Sequence, residues 1–477
     1  MSAAAPSEVS HPDRTREDAV WGRVLMLGLS VILLNLGLVF AIIPEHPATA
    51  VVFTLALAAS VTGTFLAHIP PLTRVRRRHV IGVLSAGVIA QLLLILRLPP
   101  QFAIDPPFPM AELPFYGGLP LLGILAIAII VRRNGPRVMD PPFLGVVAVY
   151  LLIGGWLIAI SPEPPMDVHI FQKQGAEALL RGENPYSIRT YPDLYGEGSG
   201  LYAPGLIEDG HLTFGFTYPP LSLLMALPGH VLGGDYRYVQ LVTMGLAAVF
   251  TVAISPGKVA TLAALLMLLN PRGFFVLQAG WTDPYALMLL ALVALLAIRR
   301  SPLLPIALGL LIAVKQHLVL ALPLALAAFD RGITVGDRWR LAIVSLVTAA
   351  AVTVPMMLWN VDDFLWSAVF LHIEQPYRPD SMSYLAWFGT DQEPWLPTWV
   401  GFVLLLPTAA AVLWRVGRST AAFVTAMALM YFVFFLFSKQ AFVHYYYFVM
   451  GTVCIAIAAW VRLSNAPSEA AQPTDEV

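Results

Sequence analysis

The chain is poor in cysteine and in charged side chains, and both deficits limit what it can be. Cys454 is the only cysteine among 477 residues, which excludes an intrachain disulfide. Charged residues make up 12% of the sequence, against about 25% in soluble domains. A net charge of −1 gives no sign of a nucleic-acid partner. Hydrophobic residues reach 58%, which predicts an all-α polytopic membrane protein surrounded by membrane lipids.

Lysine is also scarce, and the four lysines are Lys173, Lys258, Lys315 and Lys439. Lys315 interrupts the apolar run 302–329, which contains no other charge. A lysine at the centre of a membrane helix costs roughly 2.5–3.5 kcal/mol on insertion scales. A side chain retained at that cost normally faces a cavity, a partner or a ligand, so Lys315 is the first candidate functional residue.

Apolar runs predict about 14 transmembrane helices. They lie at 21–43, 47–69, 80–96, 118–131, 142–160, 238–254, 259–277, 285–298, 303–314, 318–329, 341–358, 397–414, 420–437 and 442–461. The run 21–43 lacks a small-residue cleavage site, so we expect a retained span and not a signal peptide.

Basic residues collect in cytoplasmic loops and therefore set the orientation. The densest cluster follows the second span, and placing it inside also places the other basic turns and both termini inside. The cluster is Arg74, Arg76, Arg77 and Arg78, and the other turns contain Arg132, Arg133, Arg137, Lys258, Arg299, Arg300, Arg331, Arg338, Arg340, Arg415, Arg418 and Arg462.

The number of membrane crossings depends on two of the apolar runs. The run 302–329 has basic residues at both ends, so it must cross twice, as a hairpin of two short helices with Lys315 at its outer turn. The run 219–232 must not cross, and its prolines and short length favour a re-entrant or interfacial helix. The alternative, in which 259–277 is the run that does not cross, remains open at this point.

The predicted topology divides the chain into four parts and leaves two long outer loops. Residues 1–20 form a cytoplasmic tail, 21–141 an N-terminal module of four membrane helices, 142–462 the main membrane domain and 463–477 a disordered cytoplasmic tail. The long outer loops are 161–217 and 360–396. Because binding and catalytic residues concentrate in ordered loops over a rigid scaffold, we expect the functional site on the outer face.

The loop 161–217 begins with an amphipathic helix that we expect to lie at the membrane surface. Val168, Phe171, Gly175 and Leu179 recur at three and four residues, whereas Gln172, Lys173, Glu177 and Arg181 occupy the other faces. Asp167 stands at the start of this helix. It is either a helix cap, which a carboxylate satisfies by accepting a backbone N–H, or a general base at the lipid–water boundary.

Several short motifs follow one another in a recognisable order. They are Asp167 with its amphipathic helix, Gly182-Glu183-Asn184-Pro185-Tyr186, Tyr218-Pro219-Pro220-Leu221, Gly280-Trp281-Thr282-Asp283-Pro284, Lys315-Gln316-His317 and Ser438-Lys439-Gln440 before His444-Tyr445-Tyr446. Their order resembles that of GT-C membrane glycosyltransferases, most closely the polyprenyl-phosphate-dependent mannosyl- and arabinosyltransferases of glycosyltransferase family 87. The resemblance covers roughly residues 142–461. It departs from the superfamily in one respect, because four spans precede the loop that resembles the catalytic one.

The resemblance implies an enzyme that transfers a sugar, with mannose or arabinose as a guess, from a polyprenyl-phosphate donor to a glycan or glycolipid hydroxyl. The reaction would take place on the outer face of the cell membrane, without a metal or other cofactor. Asp167 would be the general base. The donor phosphate would be bound by Lys315, His317, Lys439, His444 and Arg272. The sugar or acceptor would be bound by Asp283, His169, Gln316, Gln440, His372 and Glu374.

Each assignment has a structural alternative. Asp283 precedes Pro284 at the start of a helix, which is typical of a cap. Lys439 suits interfacial snorkelling, and Arg272 equally suits an ion pair. The histidines also suit polar or stacking contacts, and Tyr445, Tyr446 and Tyr447 are expected in an interfacial aromatic belt.

A secondary transporter, or a flippase for lipids or lipid-linked sugars, is the main competing function. A transporter is expected to have repeated halves and binding groups near the midplane. The sequence contains no convincing repeat, and its charged groups concentrate towards the outer boundary. A non-catalytic scaffold remains a third hypothesis.

Overall fold

The computed structural model describes residues 12–40, 48–98, 101–102, 113–132, 140–196, 199–329 and 334–465, and most of these residues are helical. The helices are α1 Pro12–Phe40, α2 Ala48–Phe65, α3 Pro70–Thr73, α4 Arg77–Ile95, α5 Leu113–Val131, α6 Pro141–Ile160, α7 Asp167–Leu180, α8 Pro220–Gly233, α9 Arg237–Ile254, α10 Lys258–Leu268, α11 Gly273–Gln278, α12 Asp283–Ile298, α13 Leu304–Val314, α14 Ala321–Ala328, α15 Val335–Trp359, α16 Val361–Leu365, α17 Leu371–Glu374, α18 Tyr384–Trp387, α19 Val400–Val416, α20 Thr420–Leu436 and α21 Val443–Ser464.

Short elements of other types join these helices. Pro185–Ser187 and Gln316–Leu320 are 3₁₀-helices, and Trp366–Phe370 is a π-helical turn. The strands β1 Ile207–Glu208 and β2 His211–Leu212 pair antiparallel, with Ile207 opposite Leu212. The predicted basic residues Arg133, Arg137 and Arg331 and most of both predicted tails lie outside the described residues.

Among the described residues, eight helices are long and apolar enough to cross a bilayer, so the chain is an all-α, multi-pass membrane protein. They are Ala19–Phe40 within α1, α2, α4, Pro114–Val131 within α5, α6, α9, α15 and α21. Seven apolar helical segments are shorter: α8, α10, α12, α13, Gln316–Ala328, α19 and α20.

The last helix, α21, is the most enclosed of the long helices, whereas α15 is mostly exposed. This burial corrects one expectation. Tyr446 and Tyr447, which we expected in an interfacial aromatic belt, lie in the protein core. The Tyr446 hydroxyl donates to the carbonyl of Met382, which gives the buried phenol the partner that it requires. The two tyrosines are buried because α21 lies at the centre of the helix bundle and not at its periphery.

The N-terminal helices share one hydrophobic core with the main membrane domain. Phe53 of α2 contacts Tyr446, with ring centroids 4.5 Å apart. The side-chain amide of Gln91 in α4 donates to the carbonyl of Leu266 in α10 at 3.2 Å. The first four predicted spans are therefore packed against the rest of the protein through both apolar and polar contacts.

The two ends of the bundle differ in charge. At one end, the Lys258 ammonium donates to the carbonyls of Ile130 and Arg132, and the Arg23 guanidinium lies 3.9 Å from the ring centroid of Trp460. We call this the basic end. The opposite end contains α7 and the loops 161–217 and 360–396, and we call it the Asp167 end.

The run 302–329 folds as two short helical segments with Lys315 between them, as predicted. Lys315 has an extended backbone. The second segment runs antiparallel to α20, because His317 contacts Tyr431 near the end of α20 and Phe329 contacts Phe423 near its start. The chain therefore reverses direction at Lys315.

Helix α8 begins and ends at the Asp167 end of the bundle. Its start follows Thr217, whose carbonyl accepts a hydrogen bond from Gln316 at 2.8 Å. Its last residue, Gly233, lines the same cavity as Ile158 near the end of α6. By contrast, the run 259–277 extends from one end of the bundle to the other. It begins after Lys258 at the basic end and finishes before Gln278 at the Asp167 end, where the Gln278 carbonyl accepts a hydrogen bond from Arg237 at 2.9 Å. This geometry favours the first of the two alternatives that the sequence left open.

The two long loops pack together at the Asp167 end around a small apolar core of their own. Phe171 of α7 contacts Phe214, and Tyr186 contacts Phe364 of α16. Helix α7 is covered on more than one side, and Gln172, which we expected on a polar face, is fully buried and reaches Ser222 of α8. The loops therefore form a folded layer over the ends of the membrane helices.

Candidate functional site

Asp167 is the first residue of α7, and its half-buried carboxylate faces the loop 183–217. Its Oδ1 accepts the backbone N–H of Val168 at 2.7 Å, and its Oδ2 accepts the hydroxyl of Tyr202 at 3.1 Å. Met166, and not Asp167, occupies the cap position, and one oxygen of Asp167 still satisfies a free helix N–H. One carboxylate oxygen thus stabilises the start of α7, and the other contacts the loop that follows the helix.

Burial raises the pKa of the Asp167 carboxyl above its ordinary value. The hydrogen bonds from Val168 and Tyr202 and the positive charge of Arg378 act in the opposite direction. A raised pKa makes a carboxylate a stronger base, and the opposing contacts keep the ionised form accessible. The role of Asp167 as a general base stays a prediction.

Lys315 and Asp283 form a buried ion pair. The Lys315 Nζ lies 2.9 and 2.8 Å from the two carboxylate oxygens of Asp283, and the two side chains are 5% and 1% exposed. The carboxylate of Asp283, the first residue of α12, is thus held by Lys315, and Thr282 occupies the cap position. Sequence reasoning selected both residues but did not predict that they pair.

Two tyrosines connect this ion pair with Asp167. Burial raises the pKa of the Tyr218 phenol, and the charges of Asp167 and Asp283 raise it further. Tyr445 is also within electrostatic range of both carboxylates, and its ring centroid lies 5.0 Å from the Lys315 Nζ. Both tyrosines therefore lie within electrostatic range of Asp167 and of the ion pair, and we call Asp167, Tyr218, Tyr445, Asp283 and Lys315 together the acid–lysine cluster.

His317 and His444 lie next to the acid–lysine cluster, and the charge of Lys315 acts on both. The His317 ring contacts Tyr431, with centroids 5.1 Å apart. The buried His444 ring lies 4.5 Å from Trp281 and 4.1 Å from Tyr445. Their described side-chain contacts are aromatic, which agrees with the stacking alternative for both histidines. The Nδ1 atom of His444 has no hydrogen-bond partner among the described residues.

Gln316 ties the turn at Lys315 to both outer loops. Its side-chain nitrogen donates to the carbonyls of Thr217 and Ala368 at 2.8 and 3.1 Å, and lies 2.8 Å from Nε2 of His372. The same His372 nitrogen lies 2.9 Å from the Thr217 carbonyl oxygen. Gln316 and His372, both predicted to bind sugar or acceptor, thus hold the backbone around the cluster in place.

Lys439 and Gln440 join the loop 438–441 to the loop 360–396. The Lys439 Nζ donates to the carbonyls of Ile373 and Gln375, and the Gln440 amide donates to the carbonyl of Pro376 at 2.9 Å. Burial lowers the pKa of Lys439, and the charge of Glu374 opposes that change. Because both Lys439 contacts are to neutral carbonyls, its positive charge is not paired at short range by either of them.

Arg378 is a cation to which the sequence interpretation gave no role. Its backbone N–H donates to the Lys439 carbonyl at 3.1 Å, and its guanidinium contacts Asp380 at 2.7 Å and lies over the Phe442 ring. Its charge acts on Asp167, so it links the loop 360–396 to the candidate base. Its position in a predicted outer loop was visible in the sequence, but this proximity depends on how the two loops pack.

Arg272 and His169 lie in other surroundings. The Arg272 Nε donates to the carbonyl of Leu38 at 3.3 Å, and its guanidinium lies 4.9 Å from the Phe275 ring centroid. His169 faces a separate cavity on the side of α7 away from Asp167. Neither residue has a described contact with the acid–lysine cluster. Among the described residues, no group of three His, Cys, Asp or Glu side chains is arranged to hold a metal ion.

No protein-family model, no curated protein and no solved structure matches the chain.

Proposed function

We propose that this protein is a GT-C-type glycosyltransferase related to family 87. In this proposal it transfers one sugar, mannose or arabinose, from a polyprenyl-phosphate donor to a hydroxyl group of a glycan or glycolipid. The observation that supports this activity best is the acid–lysine cluster. A half-buried carboxylate with a raised pKa lies at one side of it, and a buried lysine lies at the other.

The proposed topology has 14 crossings, with the Asp167 end on the extracytoplasmic face of the cell membrane. The eight long apolar helices and six of the seven shorter segments supply the crossings, and α8 is the segment that does not cross. The positions of Arg132 and Lys258 at the opposite end support this orientation, because basic residues favour the cytoplasmic side.

Asp167 is the proposed base. The acceptor hydroxyl gives its proton to the Asp167 carboxylate while its oxygen bonds to the anomeric carbon of the donor sugar. The bond from that carbon to the phosphate oxygen breaks, and the phosphate leaves with the bonding electrons. The Tyr202 hydroxyl, 3.1 Å from Asp167 Oδ2, orients the carboxylate.

The departing phosphate requires positive charge, which Lys439 supplies in this proposal together with Lys315 and Arg378, whose charges Asp283 and Asp380 partly offset. An ammonium has three N–H donors. Lys315 uses two on Asp283, and Lys439 uses two on backbone carbonyls, so each retains one donor for a phosphate oxygen. Asp283 is assigned the role of orienting Lys315, in place of direct sugar binding.

The experiment is a transfer assay with the full-length chain in liposomes, using polyprenyl-phosphate that carries radiolabelled mannose or arabinose and a glycolipid acceptor. Asp167→Asn removes the base, and we expect transfer to fall by about 10²–10⁴-fold. Asp209→Asn is the matched control, since Asp209 is an exposed aspartate in the same loop, and its positive φ suits asparagine.

Near-normal transfer by Asp167→Asn would contradict the assignment of the base. Movement of the labelled donor across the bilayer without any transfer would instead favour a flippase. Both results come from the same preparation, because the donor can be quantified on each side of the membrane and in the product.

A further inference from the structure

A cavity lies beside α7, and its lining includes His169 but not Asp167. Its volume is about 250 Å³, below the roughly 300–1,000 Å³ of pockets for drug-sized ligands. Such a volume limits the occupant to one small polar unit. The cavity lies between the end of α6, helix α7 and the junction of α8 with α9, and its polar lining residues are Glu163, His169, Lys173, His230 and Asp235.

His169 is the clearest indication of a ligand in this cavity. The residue is 3% exposed, and neither ring nitrogen has a hydrogen-bond partner among the described residues. Its ring packs beside Tyr236, with centroids 5.4 Å apart. Burial lowers the pKa of His169 to about 4, so the ring is neutral at pH 7 and offers one donor and one acceptor. Buried polar groups without partners are rare, and a bound molecule could supply the partner that one of these nitrogens lacks.

The charges around the cavity are already paired. Lys173 contacts Glu163 at 3.0 Å, and Arg237 contacts Asp235 at 2.6 Å. Arg237 also donates to the carbonyls of Ser161 and Gln278, so four of its five guanidinium N–H donors have described partners. A phosphate would have to compete with these carboxylates for the lysine and the arginine. A neutral ligand with hydroxyl groups avoids that competition, because carboxylates accept hydroxyl hydrogens without giving up their cations.

We propose that this cavity binds one neutral sugar residue of the acceptor, with His169 exchanging hydrogen bonds with a hydroxyl group. Glu163 and Asp235 accept further hydroxyl hydrogens, and the ring of Tyr238 forms one wall of the cavity. Asp167 and His169 are two residues apart on α7, about 200° around the helix, so they face different sites. The identity of the ligand as an acceptor rests on the proposed function, whereas the binding itself does not.

The experiment measures binding of methyl mannoside and methyl arabinoside to the full chain in nanodiscs, by saturation-transfer NMR titration. His169→Phe keeps an aromatic ring beside Tyr236 and removes both nitrogens, and we expect the affinity to fall about tenfold, the effect of losing one or two hydrogen bonds. His211→Phe is the control, because His211 is exposed on β2, away from the cavity. A glycolipid carrying the same sugar is titrated separately, to distinguish a lipid-linked source from a free glycan.

Equal binding by wild type and His169→Phe would overturn the inference, as would binding of phosphoethanolamine without binding of either glycoside. Glu163→Gln provides a second variant in case His169→Phe does not fold, since Glu163 is exposed, and it must also weaken binding. Asp167→Asn must leave binding unchanged. Absent binding together with Asp167-dependent transfer rejects the cavity alone, whereas binding together with transfer that does not need Asp167 rejects the proposed base alone.

Discussion

The buried pair of Lys315 and Asp283 allows a prediction that separates stability from function. The two charges are 2.8 Å apart and nearly inaccessible to water. At an effective dielectric constant of about 20, their attraction is about 6 kcal/mol. Lys315→Met leaves the Asp283 carboxylate buried without its charged partner. Asp283→Asn leaves the Lys315 ammonium buried without its charged partner. Removing one partner of such a pair costs roughly 3–5 kcal/mol, so both variants should be strongly destabilised.

The double variant Lys315→Met/Asp283→Asn removes both charges together. Because replacing a buried ion pair with neutral groups is often close to neutral in stability, we expect it to recover most of the loss caused by either single change. The assay is thermal unfolding of the four proteins in nanodiscs at one scan rate, since unfolding of a membrane protein of this size need not be reversible. Lys258→Met is the control, because Lys258 contacts backbone carbonyls and not a carboxylate.

Transfer measured on the same four proteins tests the phosphate role of Lys315. If Lys315 binds the donor phosphate, the double variant regains stability but not transfer. Its use of the donor should then be weakened more than its use of the acceptor. Additive destabilisation, with the double variant as unstable as the sum of the single changes, would refute the pairing argument. A stable double variant with wild-type transfer would show that the pair is structural only.

Two further predictions follow from other contacts. Tyr202→Phe removes a hydrogen bond that lowers the pKa of Asp167, so this pKa should rise. The acidic limb of the kcat/KM–pH profile should then move to higher pH. An unchanged profile would contradict the role of Tyr202. Gly280→Ala is expected to lower the unfolding temperature more than Gly182→Ala does. Both glycines have φ near +75°, but only at Gly280 would the new Cβ collide, 2.0 Å from the Tyr236 hydroxyl, so equal effects would contradict the clash.

Much of the helical framework was predictable, because hydrophobicity and proline are local signals. The break at Lys315 followed from run length and from the alternation of basic turns, and the helix ends agree with it. The exclusion of α8 from the crossings rests on the same two signals and stays a prediction. The interfacial position expected for Tyr446 and Tyr447 was wrong, because an aromatic cluster in an apolar helix looks the same in a lipid belt and in a protein core. Only the packing of neighbouring helices distinguishes the two.

The sequence alone indicated a multi-pass helical membrane protein, and it identified Lys315 as chemically unusual, because a charge in an apolar run is costly wherever the chain folds. Asp167 and Asp283 were selected from their places at helix starts and in the ordered motifs. The tertiary structure decided which of these charges meet. Residues 283 and 315 are 32 positions apart and form one ion pair, and the charge of Arg378, which belongs to a different loop, acts on Asp167. Such contacts depend on how helices and loops pack, and spacing along the chain contains no measure of that.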